Sequence, residues 1–219
     1  MKKFLRLIGN IGIIIIAFIG YSFIQLMYVI PNKTKLPLWN GIGIAVITVM
    51  AIWVMFALYK YQLKQENNWD FNEKPHWSAQ RIFIAIGMFF LMTILQILFI
   101  QMFAKTGVTS QNQQELDKIS SLANPIYNVL LVIVAPICEE IIFRGMFFNT
   151  FFPVENHWTK VLGILASGFV FGFMHDPTFS KFIFLYWMMG SLLAWTYVLT
   201  KDLRYSIIAH MLNNLLPFL

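Results

Sequence analysis

The run from Pro125 to Phe152 is long and apolar enough to cross a bilayer, yet it holds Glu139, Glu140 and Arg144 near its middle. An ionised side chain near the bilayer centre costs roughly 2.5–3.5 kcal/mol on insertion scales. Three such groups within six residues need partners from other segments, so this helix must be enclosed in a bundle. The rest of the chain can supply one. Seven apolar segments stand at roughly 7–30, 38–60, 81–104, 125–150, 160–175, 181–199 and 205–218. A hydrocarbon core of about 30 Å needs about 20 helical residues, which the first four reach. The fifth and seventh are short, and are expected to sit deep in the bundle or to thin the membrane locally. No internal repeat, heptad or low-complexity stretch interrupts them. The expectation is all-α: a polytopic membrane helix bundle of about seven transmembrane helices with a buried polar site. It forms a single membrane domain over 1–219, with helices one to three in 1–124 and a core in 125–218.

Composition excludes the soluble classes. Hydrophobic residues make up 58% and charged residues 12%, against about 25% charged in a soluble domain. The net charge of +6 comes from basic residues scattered between apolar runs, with no basic patch interleaved with exposed aromatics. It therefore argues for orientation and anionic-lipid contact, and not for nucleic acid. With the N-terminus inside, ten Lys and Arg fall on the inner side (from Lys2, Lys3 and Arg6 to Lys201 and Arg204). Five fall outside (Lys33, Lys35, Lys105, Lys118, Lys181), and only Arg144 is in neither set. The expected location is the cell membrane, multi-pass, with a cytoplasmic N-terminus. The basic start Met1–Arg6 resembles a signal peptide, but the apolar run continues to Ile30, too long for a signal core, and reads as a retained first helix. The lone Cys138 excludes an intrachain disulfide and reads as a buried, inert small residue.

The connectors are legible. Pro31 to Pro37 is a tight turn. Lys60 to Gln80 is a polar loop in which Tyr61, Trp69 and Trp77 are expected at the membrane interface. Thr106 to Ala123 is a second polar stretch with a short surface helix.

Four places carry chemistry. Glu140 and Arg144 stand four apart on one helical face and can pair. Glu139 points about 100° away with no local cation, and an intramembrane carboxylate without one is a candidate acid or base. His175 closes the fifth segment just before Asp176-Pro177, where a bland role, the ring bonding a terminal carbonyl, competes with a catalytic one. Gly168 and Gly172 permit close helix approach, which suits a helix that brings His175 against the fourth segment. His210 and Asn214 share a face of the seventh and can both donate hydrogen bonds, as an oxyanion stabiliser must. Asn213 falls on an adjacent face, and His76 and His157 lie in loops or at interfaces without an assigned role. At ~1.5 Å per residue, Glu139 lies about 16 Å, His175 about 22 Å and His210 about 9 Å from the inner ends of their segments. Signatures of zinc-helix, serine and aspartyl intramembrane proteases are absent.

Together these residues resemble the CAAX protease and bacteriocin-processing family (CPBP, or Abi) of intramembrane proteases. Its three motifs are matched in order by Glu139-Glu140-x-x-x-Arg144, Phe171-x-x-x-His175 and His210-x-x-x-Asn214. The resemblance covers about 125–218 and implies an endopeptidase acting on a membrane-associated protein or peptide precursor. It implies Glu139 as general base, His175 as orienter of water or proton shuttle, and His210 and Asn214 as oxyanion stabilisers. Glu140, Arg144 and Phe171 would support the site or contact substrate. The expectation is metal-free, with zinc held by Glu139, His175 and His210 as its alternative. Competing functions are a bacteriocin immunity protein that binds without cleaving, and a proton-coupled transporter.

Overall fold

The computed structural model describes residues 2–31, 35–103 and 110–218. The first three helices follow from unbroken apolar sequence: α1 (Lys2–Tyr28), α2 (Leu38–Gln65) and α3 (Ala79–Phe103). Each exceeds about 35 Å at 1.5 Å per residue, enough to cross a hydrocarbon core. The polar stretch contains α4 (Gln111–Leu122), whose N-cap Ser110 accepts from Gln113 N–H at 3.1 Å and which buries none of its own residues. The fourth apolar run is one helix, α5 (Ile126–Phe151), followed by α6 (His157–His175) and α7 (Phe182–Thr200). The short α8 (Leu203–Leu215) ends in a 3₁₀ turn at Leu216–Phe218. Among the described residues there is no strand, and six helices are long and apolar enough to cross a membrane. The seventh apolar segment, α8, has 13 residues and does not reach that length. It packs within the bundle against α3, α5 and α7. The predicted turn at Pro31–Pro37 and the start of the second polar stretch at Thr106 fall partly outside the described residues.

Burial separates two central helices from the rest. In their most apolar windows, 61% of α5 and 67% of α7 is buried, against 11–28% for the other four spans. The charged helix is thus enclosed, as its composition demands. The tightest packing joins α6 to α7. A Cβ on Gly172 would come within 2.8 Å of the Trp187 backbone nitrogen, and one on Gly190 within 2.9 Å of Gly168 Cα. The glycines of α6 therefore serve approach to α7, and not to α5 as the spacing suggested. They set the register in which α6 delivers its last residue, His175.

The end of the bundle that holds the N-terminus is closed by the 66–78 loop. Trp69, expected at the interface, is fully buried. Its ring stacks on Phe71 at 5.3 Å and its Nε1–H donates to the Phe152 carbonyl at 2.6 Å. The loop is apolar at two positions that fold inward, which its overall polarity concealed. Trp77 and Tyr61 do stay exposed.

Candidate active site

α5 is irregular around its carboxylates. Pro136 lacks an N–H and its ring crowds the carbonyl four residues back, so a regular helix cannot pass through it unchanged. The chain answers with a π-turn at Leu130–Val134 just before the proline, and a second follows at Ile141–Met146. Such turns re-aim the side chains beside them and recur at functional sites. Glu139 and Glu140 stand between the two, both buried, and point to different neighbours.

Glu140 faces a closed arrangement. Its Oε1 meets Arg144 Nη1 at 3.0 Å and accepts from His210 Nδ1 at 2.9 Å. Arg144 is fully buried, donates through Nη2 to the Gly190 carbonyl at 2.9 Å and lies over the Phe171 ring at 4.7 Å. Its guanidinium thus ties α5 to α7, and no part of it reaches the surface.

Glu139 faces an open one. Tyr21 of α1 donates to Oε1 at 2.7 Å. Oε2 is approached by His175 Nε2 at 3.9 Å and His210 Nε2 at 3.8 Å. Those separations exceed a direct hydrogen bond, so neither ring nitrogen is bonded to that oxygen. Both rings are held by their other nitrogen. His175 Nδ1 lies 2.8 Å from the Phe171 carbonyl, which can only accept, so that nitrogen carries the proton. His210 Nδ1 is directed to Glu140. The bland role of His175 is therefore met, one nitrogen bonding a helix carbonyl, while its other nitrogen faces Glu139. Phe171 stacks on His175 at 4.1 Å and meets His210 edge-on at 5.7 Å.

Asn214, one turn beyond His210, donates through Nδ2 to the Leu131 carbonyl at 3.0 Å, inside the first π-turn. Asn213 accepts from Gln96 of α3 at 2.6 Å, so it joins helices. Cys138 is fully buried and free. His76 bonds the Lys74 carbonyl, and His157 sits in the first turn of α6 beside Trp158. Tyr21 is the site residue that motif reading missed. Its one signal was a phenol in the middle of an apolar helix, where a buried hydroxyl needs a partner.

Two imidazole nitrogens and a carboxylate oxygen are donors of the kind zinc takes. However, bonds of about 2.1 Å in tetrahedral array would draw each pair to about 3.4 Å. Glu139 Oε2 stands 3.8 and 3.9 Å from the two ring nitrogens, wider than that, and among the described residues no group of three or more His, Cys, Asp or Glu side chains is placed to hold a metal ion. As arranged, the residues do not fit a resident metal.

Residues 121–216 match the family described as type II CAAX prenyl endopeptidase Rce1-like. That segment is similar to the Rce1-like endopeptidases over less than half of the chain. Similarity to individual proteins agrees. YdiL of Bacillus subtilis, assigned as a membrane peptidase, is 27% identical over 177 residues, covering 81% of this chain and 68% of YdiL. MroQ of Staphylococcus aureus, named a membrane-embedded CAAX protease, is 36% identical over 93 residues, covering 41% of this chain and 37% of MroQ. YxdF of Lactococcus lactis is 25% identical over 147 residues. The chain thus spans about two thirds of YdiL and little more than a third of MroQ. No solved structure matches it. The Rce1-like segment contains Glu139, Glu140, Arg144, His175, His210 and Asn214. Tyr21 lies outside it, on the first helix.

Proposed function

We propose that the chain is an intramembrane endopeptidase that hydrolyses a peptide bond with water activated by Glu139, without a resident metal. The observation that carries the reading is one carboxylate oxygen faced by the free nitrogens of two imidazoles at 3.8 and 3.9 Å. Water between them loses a proton to Glu139 as its oxygen bonds to the scissile carbonyl carbon. Tyr21 keeps Oε1 occupied, so Oε2 takes that proton. His175, its Nδ1–H fixed on Phe171, offers Nε2 as an acceptor that orients the water, then takes the proton from Glu139 and passes it to the departing amine. His210, held through Nδ1 by Glu140, presents Nε2 to the developing oxyanion; as imidazolium it donates there. Asn214 has a second amide hydrogen beyond the one given to Leu131, and supplies the other donor. The C–N bond then breaks, and the carboxylate and amine leave.

Family and relatives direct the substrate choice to a prenylated protein C-terminus of the CAAX type, presented at the membrane. The positive-inside count puts the N-terminus in the cytoplasm. The test uses purified protein in proteoliposomes and a farnesylated CAAX reporter peptide with a fluorophore–quencher pair. Comparison of membrane-protein fragments from cells expressing wild-type or Glu139→Gln protein accompanies it. Cleavage by wild type and its loss in Glu139→Gln and His175→Ala, with membrane insertion intact, is expected. Full biological activity in both variants would replace catalysis with a binding role such as immunity. Cleavage that disappears on prolonged chelation and returns with zinc would overturn the metal-free reading alone.

A further inference from the structure

His175 is more accessible than the two groups it is proposed to act with, Glu139 and His210. Its side chain is 21% exposed, against 11% for Glu139 and 3% for His210. Burial therefore holds it least, and its orientation must come from contacts. Phe171, on its own helix, provides the ring at 4.1 Å and the carbonyl for Nδ1. A second ring comes from another helix. Tyr186 of α7 stacks on His175 at 5.1 Å with 30° between the planes. The Tyr186 hydroxyl is in turn fixed from outside the helix pair. It lies 2.7 Å from Ser110 Oγ and accepts from Asn112 Nδ2 at 3.4 Å. Ser110 is the N-cap of α4, and its oxygen also accepts from Gln113 N–H.

The other end of α4 is pinned as well. Asn124 N–H donates to the Ile30 carbonyl at 2.6 Å, and Ala123 pairs with Pro31. Those residues follow directly on α1, the helix that carries Tyr21 to Glu139. The surface helix thus reaches from the support of one catalytic group to the support of the other.

We propose that Tyr186 is a positioning residue for His175, and that Ser110 locks it, so that the seating of α4 sets whether His175 Nε2 faces Glu139. This rests on the hydrolytic reading of the site, but its first test does not. Isotope-edited nitrogen NMR of the imidazoles, with His175 assigned through His175→Gln, reports tautomer and ring order without substrate. Wild type is expected to show His175 as a single ordered tautomer with the proton on Nδ1. Tyr186→Leu should average that signal, and Ser110→Ala should do so partially.

In the reporter assay, a misplaced base should lower kcat by about tenfold to a hundredfold in Tyr186→Leu with KM unchanged. Loss of the Ser110–Tyr186 hydrogen bond, with the weaker contact beside it, should cost about threefold to tenfold in Tyr186→Phe and in Ser110→Ala. The double variant Ser110→Ala/Tyr186→Phe should lose less than the two single losses combined, because both remove that shared bond. An unchanged His175 signal and unchanged kcat in Tyr186→Leu would overturn the proposal while leaving hydrolysis standing. Additive losses in the double variant would overturn the Ser110 lock. Cleavage that survives His175→Ala would instead sink the hydrolytic reading, and the NMR result would still decide the clamp.

Discussion

Glu139 and Glu140 are neighbours on one helix, yet the regions they face differ in kind. Around Glu140 one oxygen takes two short contacts, 3.0 Å to Arg144 and 2.9 Å to His210, and Arg144 continues to the Gly190 carbonyl at 2.9 Å, all of it sealed from the surface. Around Glu139 one oxygen is held at 2.7 Å and the other is left 3.8 and 3.9 Å from its nearest bases. A carboxylate sealed from the surface against a guanidinium is neutralised in place. A carboxylate with a phenol on one oxygen and two imidazoles standing off the other is not. His210 joins the two regions, with one nitrogen directed to each. On the proposed mechanism, the difference separates holding from reacting within a single turn.

The sharpest way to break that comparison is Glu139→Gln. It keeps the shape and the Tyr21 bond, and removes the base. Turnover should fall by about 10²–10⁴-fold, the range for losing a general base, while the thermal midpoint in detergent stays near that of wild type. A large drop in midpoint would mean that Glu139 is structural after all.

Arg144→Met inverts the pattern. Breaking a buried pair by removing one partner costs about 3–5 kcal/mol, because the remaining charge is left uncompensated. The variant should melt early or fail to accumulate. Adding Glu140→Gln should restore part of the loss, since the two share one interaction. If the double variant is as unstable as the sum of the singles, the clamp is not a unit. Next in size is Tyr21→Phe. It leaves the carboxylate in place but frees Oε1, and a hydrogen bond to a charged group is worth about 1.5–3 kcal/mol. A loss of kcat on the order of tenfold to a hundredfold, with stability little changed, would place Tyr21 on the reacting side. Unaltered kcat would remove it from the mechanism.

Much of this was legible in sequence. Apolar length marked the spans, and the i, i+4 spacing gave the Glu140–Arg144 pair. The motif histidines are the ones that converge. What was hidden depends on contacts between distant segments. The glycines of α6 announced a close approach but not its partner, because a bare backbone fits any helix. Trp69 looked interfacial because its neighbours are polar, and only the fold shows the cavity that it fills. The π-turns were foreshadowed by Pro136 alone. Tyr21 carried no motif, and its hydroxyl gains meaning only from Glu139, 118 residues away.

A third carboxylate, outside the spans, gives the smallest effect and a control for the other two. Asp176 follows His175 directly and accepts from Thr178 Oγ at 2.7 Å and Ser180 Oγ at 2.5 Å. Burial alone would raise its pKa, but these hydroxyl donors outweigh it and hold the carboxyl below its ordinary range. A group depressed in the folded state adds stability above its unfolded pKa of about 3.9, and that stability is lost as pH falls through the folded value. The turn that ends α6 should therefore be firm at neutral pH and loosen only in acid. Melting curves from about pH 7 down to pH 3 should show a decline in wild type that Asp176→Asn lacks, the variant starting lower at neutral pH. Its kcat near neutrality should fall far less than that of Glu139→Gln, because Asp176 shapes the turn and touches neither the water nor its bases. A matching collapse of turnover would show that the turn, and not the surroundings of Glu139, governs the reaction.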